Sequence, residues 1–129
     1  MSTHDDIINS LRSECAVIEA EVRDARTALE AAAGALREAE AARDVAMAER
    51  AARRSVLAPL DRNVAGPLAR WAAGLDQAAI RAEGAVSLAK GNVFNAQHHL
   101  EILELALQQI DALLAPPQPA EPNLIEAAA

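Results

Sequence analysis

The feature that most constrains this chain is a single apolar seam in its second half. Stepping alternately four and three residues from Leu68, one meets Ala72, Leu75, Ala79, Ala82, Val86, Ala89, Val93, Ala96, Leu100, Leu103, Leu107, Ile110 and Leu114, and none of them is polar. A repeat averaging 3.5 residues keeps one face of an α-helix turned toward another helix along its whole length. A lone strand or a loop gives no such period. The chain must therefore contain a long helix with a long helical partner.

The first half supplies the partner. Thr3, followed by Asp5 and Asp6, suits a helix start, where a side-chain oxygen and negative charge meet unpaired N–H groups. From there a second seam runs Ile8, Leu11, Cys15, Ile18, Val22, Ala25, Leu29, Ala32, Leu36 and Ala39. Beyond it the same positions turn polar at Arg43, Arg50 and Arg53, while Val45, Ala48, Ala52 and Val56 form an adjacent apolar stripe. That change predicts a stutter near residue 41. Pro59 excludes the α conformation from the residue before it and ends the helix.

Helix 1 is thus expected over about 4–57 and a turn over 58–66, rich in Pro59, Asp61, Asn63 and Gly66. Helix 2 follows over about 67–114, with Pro67 suited to its first position. Each helix would be roughly 70–80 Å long, and so short a turn between them favours an antiparallel pairing. If Leu57 faces Leu68, paired residue numbers sum to about 125, and Val22 meets Leu103, Ala25 meets Leu100 and Leu36 meets Ala89. Large residues then face small ones, so the two backbones approach closely. The expected fold is all-α: a long two-helix antiparallel coiled-coil hairpin over residues 1–115. A Pro-rich extended tail follows over 116–129, with Pro116, Pro117, Pro119 and Pro122 in it.

Composition agrees. Of 129 residues, 33 are Ala, there is no Tyr, and Trp71 and Phe94 are the only Phe, Tyr or Trp, which leaves little to fill a thick core. Cys15 is the sole cysteine, so there is no internal disulfide and no cysteine-based metal spacing. The adjacent His98 and His99 point about 100° apart on a helix and do not form the i, i+4 pair a metal needs. No catalytic triad, glycine-rich phosphate loop or paired carboxylates in a pocket context is legible. The expectation is a protein that is not an enzyme and takes no cofactor, metal or small-molecule substrate. An acidic start and the lack of an apolar run near 18 residues predict no cleaved signal and no membrane span, hence a cytoplasmic protein or part of a virion or other large assembly.

Charge is unevenly placed. Net charge is −7, yet residues 43–81 carry seven arginines against four acids. The acidic total argues against nucleic-acid binding, while Arg53, Arg54 and Trp71 mark a contact patch near the turn. A second stripe on helix 2 holds Gly84, Leu88, Gly91, Ile102 and Leu105. A solvated face would favour Ala over helix-weakening Gly, so this stripe is expected to meet another helix. Leu124 and Ile125 in the tail are the last expected contact residues.

Two family patterns bear comparison. Trp71-Ala72-Ala73-Gly74 has one spacer more than the Trp-x-Gly turn of type VII secretion hairpins, and it lies within helix 2. Likeness to the coiled-coil stalk subunits of flagellar and type III export systems is one of architecture only. The expected function is a structural or assembly subunit binding protein partners or itself as a homo-oligomer. A bacteriophage virion or tail-assembly component is a fitting context. The alternative is a chaperone or adaptor of a bacterial secretion or export apparatus.

Overall fold

The computed structural model describes residues 3–60 and 66–115, with the side chain of Ala72 excepted. Expected contacts at Leu124 and Ile125, and the whole Pro-rich tail, lie outside the described residues. The fold is an all-α helical hairpin, and no strand occurs among the described residues. Helix α1 spans Thr3–Leu57 and helix α2 spans Ala69–Leu114. Before α2 the chain makes a short 3-10 turn, Gly66–Leu68, so Pro67 lies in that turn and not in the first α position. The carbonyls of Arg54 and Leu57 accept bonds from the amides of Ala58 and Leu60, closing the end of α1 into the turn.

The chain divides into two compact units, each an antiparallel pair of helical segments. Among the described residues, one comprises 3–26 with 99–115. Its core is Val22, Ala25 and Leu103, with Ile18, Leu100 and Leu107 packed against it. These are the residues that the expected register brings together. Contacts beside the seam keep the same register: Arg26 Nη2 lies 3.6 Å from Glu104 Oε1, and the Cys15 thiol lies 3.9 Å from Asp111 Oδ1.

The other unit is Thr27–His98. Its buried residues lie on α2: Leu75, Ala79, Val86 and Ala89. Facing positions on α1 are half-buried, from Leu29 through Leu36 and Ala39 to Leu57. Here the structure corrects the sequence reading. Arg43, Ala46, Arg50 and Arg53 stay half-buried in the original seam, whereas Val45, Ala48, Ala52 and Val56 are exposed. No change of stripe occurs. Long arginine stems lie along the partner helix as apolar surface and deliver their charged ends to its edge. Leu68 is likewise exposed, because it belongs to the 3-10 turn and not to the α-helical seam that follows.

Candidate interaction surfaces

Following the arginines outward from the seam gives the first candidate surface. Three of them (Arg50, Arg53 and Arg54) fall within residues 50–54, and α1 therefore sends them to both edges of its contact with α2. At one edge Arg50 Nε lies 2.7 Å from Asp76 Oδ1, an ion pair without directed hydrogen-bond geometry. Arg54 Nη2 donates to the same oxygen at 3.3 Å. At the other, the Arg53 guanidinium sits over the Trp71 ring, 4.6 Å from its centroid. Two cations therefore share one carboxylate and a third rests on an aromatic face. The cleft between Arg50, Arg53, Arg54, Leu75 and Asp76 has a volume of about 20 Å³, room for roughly one water molecule. A space of that size is too small for a substrate molecule.

Sequence reasoning groups Arg53, Arg54 and Trp71, but it misses Asp76. The signal is present in the seam itself: Asp76 follows seam residue Leu75 and so stands at its edge, within reach of an opposing arginine.

The second candidate surface is the outward side of α2. In the Thr27–His98 unit, Leu88 is 70% exposed and Phe94 69% exposed. A Cβ built at Gly84 or Gly91 meets nothing within 4 Å. Among the described residues, nothing requires glycine at either place. Phe94 stacks on His98 one turn later, with ring centroids 6.3 Å apart, which gives that histidine a packing role. In the other unit Ile102 and Leu105 are also exposed. A shallow groove there is lined by Glu19, Val22, Arg23, Arg26 and Leu107.

Cys15 is half-buried at its seam position. Burial first, then the carboxylates of Glu19 and Asp111, push its thiol above the ordinary value, because each disfavours the thiolate. That environment opposes nucleophilic use. Among the described residues no cluster of His, Cys, Asp and Glu is arranged to hold a metal ion. No helix among them is long and apolar enough to cross a membrane. Comparison with protein-family models, curated proteins and solved structures finds no match to this chain.

Proposed function

We propose that this protein is a non-enzymatic assembly subunit, whose work is to bind protein surfaces along the outward side of α2. One observation carries the reading: Leu88 and Phe94 project into solvent beside Gly84 and Gly91, whose Cβ positions are open. Each glycine costs an exposed helix roughly 1 kcal/mol relative to Ala, and each exposed large apolar side chain forgoes burial. Both costs are recovered when a partner helix lies on the glycines and the larger side chains fill the gaps beside it.

The test compares wild type with Gly91→Leu and Leu88→Glu by light scattering and by capture of partners from native lysate. Stable complexes of fixed stoichiometry are expected for wild type, with loss in both variants. Identical complexes from all three proteins would refute this reading. Wild-type complexes that form and then release an intact client would favour a chaperone or adaptor.

A further inference from the structure

We propose that the Arg53–Trp71 face of one copy docks on a carboxylate-bearing strip of a second copy, Glu14–Val17–Glu21–Asp24. The proposal rests on the assembly reading above and adds a contact between copies apart from the outward side of α2. Arg53 makes no ion pair with a carboxylate among the described residues; its flat face is covered by the Trp71 ring. Stacking uses the face of a guanidinium and leaves its in-plane N–H donors free for a carboxylate, which they match two at a time. Trp71 is 41% exposed, and Val56, one turn from Arg53, is exposed as well. The surface therefore offers a directed cation beside apolar area.

The chain itself holds the complementary pattern. Residues 27–98 carry nine basic and eight acidic groups, whereas residues 1–26 with 99–129 carry three basic and eleven acidic. Within the second set, Glu14, Val17, Glu21 and Asp24 recur at helical spacing, and all four are exposed. Arg12, Arg23 and Arg26 fall on the other flank of that segment, where Arg26 reaches Glu104. The strip is thus acidic, with an apolar residue among its carboxylates. Val17 suits contact with Trp71 and Val56 while a neighbouring glutamate meets Arg53. Each copy carries both surfaces, so two copies hold two such complementary pairs.

The experiment is sedimentation velocity on the full chain, with wild type, Arg53→Glu, Glu21→Arg and an equimolar mixture of the two variants. Wild type is expected to dimerise, more weakly at about 500 mM salt than at about 50 mM, because exposed charges are screened. Each variant alone should lose affinity by about tenfold or more, since like charges then oppose each other. The mixture should recover it. There the Arg53→Glu face of one chain meets the Glu21→Arg strip of the other with the two charges exchanged, and the unaltered pair completes the second contact. Circular dichroism checks that both variants keep wild-type helicity, and Glu21→Arg disturbs no internal contact described above. A monomeric wild type, or variants that dimerise as wild type does, overturns the proposal. So does a mixture that fails to recover. Loss of assembly in Leu88→Glu with none in Arg53→Glu would refute this docking mode and leave the assembly reading standing.

Discussion

Shortening Leu103 to Ala should produce one of the larger single-residue losses of stability in this protein. Leu103 is only 8% exposed and packs with Val22 and Ala25, beside Ile18, Leu100 and Leu107. The substitution removes three carbons, and about 0.8 kcal/mol per buried methylene gives roughly 2.4 kcal/mol before any cavity cost. A two-helix seam is open to water along both edges, so neighbours and solvent can partly close the gap. The total should then sit near the low end of the usual range, at about 2–3 kcal/mol. Urea unfolding followed by far-ultraviolet circular dichroism measures it directly, with an unchanged denaturant slope as the sign that only stability has moved. Leu113→Ala is the control: Leu113 is 70% exposed, and its truncation should cost within about 0.5 kcal/mol. Equal losses in the two variants would refute the assignment of inward and outward faces.

Further outcomes follow from the same geometry. Val45 is exposed and Arg50 half-buried, so Val45→Asp should change stability by less than about 0.5 kcal/mol, while Arg50→Leu should be neutral or stabilising by melting temperature. The opposite order would restore the stutter. Gly91→Ala adds a Cβ into open space and should stabilise the isolated chain by about 0.8–1 kcal/mol in urea unfolding. Cys15 should alkylate more slowly in the folded protein than in urea at pH 8, and both Glu19→Gln and Asp111→Asn should speed the reaction by lowering the raised thiol pKa. Because that pKa is raised on folding, any stability linked to it is fully present below the unfolded value and is lost as pH climbs through the folded one.

Much of the fold was legible because one physical signal dominates it. Every described seam position on α2 after the 3-10 turn is buried or half-buried, since a strict heptad of Leu, Ile, Val and Ala leaves only one face to bury. On α1 the signal held through Ala39 and then misled. Residue type records Arg43, Arg50 and Arg53 as charged, although most of each side chain is hydrocarbon and their ends are met locally by Asp44, Asp76 and Trp71 respectively. The turn-proximal cluster could be read as a group from sequence. Its partition into a shared carboxylate on one edge and a stacked cation on the other depends on side-chain positions across two helices, which one-dimensional spacing does not encode. Gly84 and Gly91 stood out by composition, and the open space at both comes from the structure.

Every outward surface discussed above follows from the antiparallel register, so that register is the claim to test most directly. Glu30 and Gln97 are both exposed and both belong to the Thr27–His98 unit. Spin labels at these two positions, in chains diluted with unlabelled protein to suppress contacts between copies, report the pairing by pulsed electron paramagnetic resonance. Helices packed about 8–10 Å apart in this register predict a narrow distribution within about 20 Å. A distribution centred beyond about 35 Å would contradict the pairing, and with it the assignment of which faces are free to bind.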